Sequence, residues 1–355
     1  MACAGLGGEW ECLFANDNDA KKAASYAANW GAGHLRIADV GSLTAADLPG
    51  RADLAWASFP CQDLSLAGAG AGLKGKRSGT LWPFWRLMRT LAAEGRAPYL
   101  VVLENVCGAL TSHGGADFAA IGAALSAGGY RFGALVMDAV RFLPQSRPRL
   151  FIVAVDKKRA IPELVITPGP DPLWHPPHLT GAHRKLPRQA KAAWVWWKLP
   201  EPPPRTSTLS DFIEDHPCGV AWHSAAETRR LLSLMSPLHR RKVELAKTAG
   251  AIYKRTRRDE SGRSVQRAEV RFDGISGCLR TPAGGSSRQS ILMVEGREIR
   301  SRLLSPREAA RLMGLPDAYN LPTNYNEAYH LAGDGVAVPV VRFLAQHLLE
   351  PLLLR

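Results

Sequence analysis

Cys61 follows a proline at the end of the apolar run Ala52–Phe59, in the stretch ASFPCQDLSLAG. The carboxyl end of a buried strand is where open α/β sheets carry ligands and catalytic groups. A thiolate there is a strong carbon nucleophile. An arbitrary cysteine is more often a small buried hydrophobe. This one gains weight from Pro60, which fixes the turn, and from the glycine-rich basic loop Leu66–Thr80, of a type that closes over sites. Glu104 ends a second apolar run, Tyr99–Asn105, where a carboxylate is costly unless it is paired or used. Gln145, Arg147 and Arg149 alternate as a third run begins, which predicts that they share one strand face. Three such donors facing one way suit an anion or the edge of a nucleobase; the plainer alternative is a solvated strand end.

These groups need elements to hold them. Apolar runs at Cys12–Asn16, Ala52–Phe59, Tyr99–Asn105, Tyr130–Ala139 and Arg149–Val155 predict strands. Leu81–Gly95 and Ala116–Gly129 between them have helical periodicity and end in glycine. The alternation predicts a parallel sheet covered on both faces. The opening Ala4-Gly5-Leu6-Gly7-Gly8 resembles a phosphate loop, but no strand precedes it, and only Glu9-Trp10-Glu11 separates it from the next strand. The glycines are therefore expected to stop a helix. Beyond Val155 come proline-rich stretches, ITPGPDPLWHPPHL and KLPEPPPR, and then short, weakly periodic pieces. Regular helix returns at Ser305, with Pro306 in first position and Glu308 completing a capping box, and the chain finishes in an amphipathic helix, Val340–Leu353.

A chain of 355 residues, 46% hydrophobic, predicts two domains or one with a large insertion. Six scattered cysteines with no CxxC pair argue against a metal site and a disulfide framework, and suit a reducing cytoplasm. There is no continuous run of apolar residues long enough to span a membrane and no basic-then-apolar leader, so neither a membrane span nor secretion is expected. Charge is placed unevenly. From Arg229 to Arg311 there are 20 Lys/Arg against 8 Asp/Glu, which accounts for +12 of the total +13. That asymmetry points to a polyanionic partner, nucleic acid first.

The set PCQ, ENV and QSRPR, then a basic region, then SPREAARLMGLP and GDGVAVPVV, resembles the C5-cytosine DNA methyltransferase family from about Leu13 to Leu353. The resemblance implies a Rossmann-like α/β methyltransferase sheet with helices on both faces, at 1–156 and 318–355, plus a smaller inserted target-recognition domain and hinge at 157–317. It implies S-adenosylmethionine as cofactor, double-stranded DNA as partner and no metal, in a cytoplasmic monomer. Cys61 would add to C6 of a flipped-out cytosine, Glu104 would protonate N3, and Arg147 and Arg149 would hold the base and the catalytic loop. Gln62, Asn105 and Gln145 would lie at the substrate, and Arg255, Arg257 and Arg258 would contact DNA. Asp17 and Asp39 resemble the acids that meet the cofactor's ribose and adenine, while Pro60 and Leu81 match positions that line it. Asp334, in Gly333-Asp334-Gly335, departs from the family's commoner Gly-Asn pair.

Two further expectations follow from the resemblance. An RNA cytosine methyltransferase of the same fold and a catalytically silent DNA-binding protein are the alternatives. The family's first strand and Phe-x-Gly-x-Gly-like loop are not found ahead of the opening helix, so coding sequence upstream of Met1 is expected to supply about 10–20 residues, a strand plus a loop.

Overall fold

The computed structural model describes residues 1–60, 78–258, 261–280 and 288–354. Cys61, Gln62 and most of the loop Leu66–Thr80 lie outside the described residues. The chain divides into two compact units.

The first, the sheet unit, comprises Leu6–Asp138, Pro148–Pro202 and Val341–Arg355. Its strands are β1 (Ala15–Asp17), β2 (Leu35–Ile37), β3 (Leu54–Ser58), β4 (Leu100–Asn105), β5 (Tyr130–Asp138) and β6 (Pro148–Asp156). All but β2 overlap an apolar run that predicts a strand. The four-stranded order is β3-β4-β6-β5, while β1 and β2 pair in parallel as a separate two-stranded leaf. The all-parallel expectation needs correction. β3 and β4 are parallel, but β6 runs antiparallel to both β4 and β5. The reason is the link: residues 139–147 are too few for a crossover helix, so β5 and β6 form an antiparallel pair. Among the described residues no ladder joins the leaf to the larger sheet. Arg96 instead donates to the carbonyls of Ala45, Leu48 and Gly50, in the connection between them.

Of the helices α1 (Ala2–Leu6), α2 (Ala20–Trp30), α3 (Leu81–Ala93) and α4 (Ala116–Ala127), α3 and α4 fall where helical periodicity predicts them, and α1 lies almost wholly in the second unit. Gly7, at φ +89°, ends α1, so the opening glycines are a helix stop. Leu81, Trp85 and Met88 of α3 and Phe118, Ile121 and Leu125 of α4 join β4, β5 and β6 in one apolar core. The proline-rich segment and α5 (Pro177–Arg184) and α6 (Arg188–Ala192) also belong to this unit. Residues 193–195 pair with Phe132 of β5, and Trp197 is fully buried, its indole N–H on the Val153 carbonyl at 3.2 Å. Gly133 permits that crossing, because a Cβ there would meet the Val195 carbonyl at 2.0 Å. The compact units thus divide at Pro202, not at the expected 156/157, and residues 318–340 fall in the second unit.

That second, the hairpin unit, comprises Met1–Gly5, Ala139–Arg147 and Pro203–Val340. Its sheet, ordered β10-β9-β7-β8, is built from β7 (Gly250–Arg258), β8 (Ser264–Arg271), β9 (Ser290–Glu295) and β10 (Glu298–Leu303). Helices α7 (Ala225–Ser233) and α8 (Pro237–Glu244) contribute Leu231 and Val243 to a core with Ile252, Val270 and Leu292. α9 (Pro306–Arg311) starts as expected, with Ser305 as N-cap and Glu308 in the reciprocal position. Glu308 does more than cap. Its carboxylate accepts both terminal nitrogens of Arg302, at 2.8 and 2.6 Å, and both side chains are fully buried.

α10 (Tyr325–Asp334), α11 (Val338–Leu344) and α12 (Glu350–Leu353) close the chain, with a π-helical turn at Ala345–Leu349. The run Tyr325–Leu353 is 29 residues long and apolar enough to cross a membrane, but 56% of the window is buried inside the protein, as in a core helix.

Candidate active site

The parallel pairing of β3 with β4 sets Ser58 opposite Glu104, so both strands end at one level. Antiparallel β6 then brings its first turn to the same place, with Phe151 opposite Glu104 and Leu150 opposite Asn105. Arg149 is thereby positioned to reach the acid, and its Nε lies 3.4 Å from Glu104 Oε1. Both side chains are largely shielded, 9% exposed for Glu104 and 14% for Arg149, so their attraction is little screened. Glu104 Oε2 has no hydrogen-bond partner among the described residues, which leaves that oxygen for a ligand.

Asn105 has a different role from the expected substrate contact. Its amide donates to the Phe59 carbonyl at 3.0 Å and accepts from the Val106 N–H at 2.9 Å. The side chain ties the end of β4 to the end of β3, two residues before Cys61. Cys107, close by, is a second thiol near the acid. Burial pushes its pKa up to about 11, with Arg149 pulling down and Asp138 pushing up, so it stays protonated at neutral pH.

Gln145 and Arg147 do not share a face with Arg149. Both precede β6, and both sit in the hairpin unit. Gln145, fully buried, donates to the Leu312 carbonyl at 2.6 Å and accepts from the Leu279 N–H at 3.3 Å. Arg147, 2% exposed, donates to the carbonyls of Leu279, Gly333 and Gly335 at 3.0, 2.8 and 2.6 Å. In this structure both side chains act as backbone clamps. Arg147 in particular fixes the turn carrying Asp334, at the end of α10.

Asp17 ends β1, where its carboxylate accepts from Asp19 N–H at 2.9 Å. Asp39 follows β2 and caps the short turn Val40–Ser42 by accepting from Gly41 N–H at 2.7 Å. Two carboxylates thus stand at the carboxyl ends of neighbouring parallel strands. Pro60 follows the end of β3, whereas Leu81 is 2% exposed and packed in the core.

The three DNA-directed arginines separate. Arg255 and Arg257 alternate along one face of β7 with Arg267 directly opposite Arg255, while Arg258 points to the other face. Glu269, which sequence inspection did not single out, pairs with both Arg255 and Arg257, at 3.1 and 2.5 Å. Its signal was an acid within an otherwise basic strand.

A mixed α/β sheet with an acid–arginine pair beside the strand end that precedes the Pro60-Cys61 sequence is a Rossmann-like methyltransferase arrangement. The chain belongs to the C-5 cytosine-specific DNA methylase family, which it matches over residues 3–350, and it is a DNA (cytosine-5-)-methyltransferase. Type II methyltransferase M.NlaX of Neisseria lactamica is 27% identical over 340 residues, spanning 95% of this chain and 88% of the relative. Type II methyltransferase M.Bsp6I of a Bacillus species is 26% identical over 352 residues, spanning 98% and 93%. The crystal structure of the S. pombe Dnmt2 methyltransferase shares the fold, with a TM-score of 0.56 at 16% identity over 97% of this chain and 92% of that one.

Proposed function

We propose that this enzyme methylates C5 of a cytosine flipped out of a short duplex DNA site, through a covalent Cys61 adduct, with S-adenosylmethionine as methyl donor. The observation that carries the reading is the Glu104–Arg149 pair at the strand end, with Asn105 holding the backbone that leads into Cys61. Cytosine C5 is a poor nucleophile. Thiolate addition at C6, with a proton delivered to N3, makes C5 enamine-like. Glu104 supplies that proton from Oε2 while Arg149 holds Oε1. Once C5 carries the methyl group, loss of the C5 proton to water, return of the N3 proton to Glu104 and departure of the thiolate from C6 release the product. The base must leave the stack for Glu104 to reach its Watson–Crick edge.

The residues present suit the cofactor in part. Asp17 and Asp39 offer carboxylate acceptors for ribose hydroxyls and an adenine amino group, and Pro60 offers an apolar edge; buried Leu81 offers little surface. When bound, the cofactor supplies an electrophilic methyl group on a sulfonium. Arg147 serves as a positioning residue for the Asp334 turn, and Arg258 contacts DNA phosphate. The type II relatives support a place in a restriction–modification pair, and we place the enzyme in the cytoplasm as a monomer.

Bisulfite sequencing of DNA from cells expressing the protein should show one short methylated context. Methyl transfer to tRNA but not to duplex DNA would overturn the DNA reading. Glu104→Gln keeps the shape but cannot donate the proton, and should slow single-turnover transfer roughly 100-fold or more. An unchanged rate would mean that another group activates N3.

A further inference from the structure

We infer that Glu269 is a positioning residue that neutralises Arg257 and turns Arg255 from a phosphate ligand into a reader of a guanine edge, and so sets target specificity. The inference rests on the DNA-methylating reading above.

Tyr253 lies opposite Glu269, Arg255 opposite Arg267, and Arg257 opposite Val265, so all six share one face of the hairpin. Three guanidinium groups on that face repel one another, and unrestrained they would splay into solvent. One carboxylate prevents it for two of them. Glu269 Oε2 takes Arg255 Nε at 3.1 Å, and Oε1 takes Arg257 Nε at 2.7 Å and Nη2 at 2.5 Å. Glu269 is 27% exposed, whereas Arg255 and Arg257 remain 46% and 51% exposed. The carboxylate is thus the more covered member, and the guanidiniums keep solvent-facing surface. Arg255 engages Glu269 through Nε, which leaves its terminal nitrogens as a fork, with its Cζ 5.8 Å from the centre of the Tyr253 ring.

Charge decides what such a trio can do. Two arginines and one glutamate carry a net +1, so the trio releases about one counterion on DNA where two free arginines would release about two. It is a poor phosphate magnet. An Arg fork held in place, by contrast, matches guanine O6 and N7 and loses little entropy on binding. Arg258 and Arg267 have no carboxylate partner among the described residues and suit phosphate.

The test compares Glu269→Gln and Glu269→Ala with Glu298→Gln. The last removes the same charge from another exposed ion pair, Arg300–Glu298 at 3.3 Å, without touching the clamp. Wild type first defines its methylated sequence by bisulfite sequencing; binding to duplexes with and without that sequence is then titrated against salt. Both Glu269 variants should bind the non-target duplex more tightly and steepen the log K against log salt slope by up to about one unit. Discrimination between the two duplexes should fall about fivefold or more. Damage to the fold would weaken binding to both. The inference is overturned if discrimination is unchanged, if both duplexes weaken together, or if Glu298→Gln lowers discrimination as much. Wild-type protein that binds no duplex would overturn the DNA reading and this inference with it.

Discussion

Cys61→Ser should abolish methyl transfer while DNA binding persists. A serine hydroxyl is far less ionised than a thiol near neutral pH, and the reaction has no other route to an enamine-like C5. Duplex containing 5-fluorocytosine, whose fluorine cannot leave as the proton does, should trap a covalent complex with the wild type and none with Cys61→Ser. Cys107→Ala should trap as the wild type does, because burial keeps the Cys107 thiol protonated up to about pH 11. Turnover of the serine variant within tenfold of wild type, or loss of trapping in Cys107→Ala, would move the nucleophile elsewhere.

The largest stability effect belongs to Glu308→Ala. Removing this carboxylate strands the fully buried Arg302 cation and leaves the N–H groups of Ser305 and Glu214 without their acceptor, now 2.7 Å away in each case. Breaking a buried pair from one side costs about 3–5 kcal/mol, a large share of the margin of an ordinary domain. Thermal unfolding should move down by roughly 10 °C. A midpoint within about 2 °C of wild type would show that the cavity admits water to Arg302 at little cost.

Legibility followed the range of each interaction. β4 and β6 were readable because they are apolar runs buried along most of their length, and the α9 start was readable because a capping box spans only three residues. Strand direction was not readable in β6, since it depends on which neighbour the strand chooses. Glu104 and Arg149 were both identified, but their pairing rests on the β4–β6 register. Gln145 and Arg147 showed the limit most clearly. Their alternation suggested one strand face, yet their partners lie up to 188 positions away in sequence. The boundary near 157 misled because proline-rich sequence suggested a linker, whereas Trp174 and Trp197 are fully buried within the sheet unit.

The separate leaf of β1 and β2 has a mechanical consequence. A continuous sheet transmits displacement from strand to strand through its ladder, but among the described residues no ladder joins the leaf bearing Asp17 and Asp39 to the sheet bearing Glu104. Arg96, on the carbonyls of Ala45, Leu48 and Gly50, and the apolar side chains of Val40, Leu43 and Leu48 carry the load instead. Side-chain contacts yield at lower cost than a row of backbone hydrogen bonds. The position of the two carboxylates relative to the acid–arginine pair thus rests on one guanidinium and a few apolar side chains.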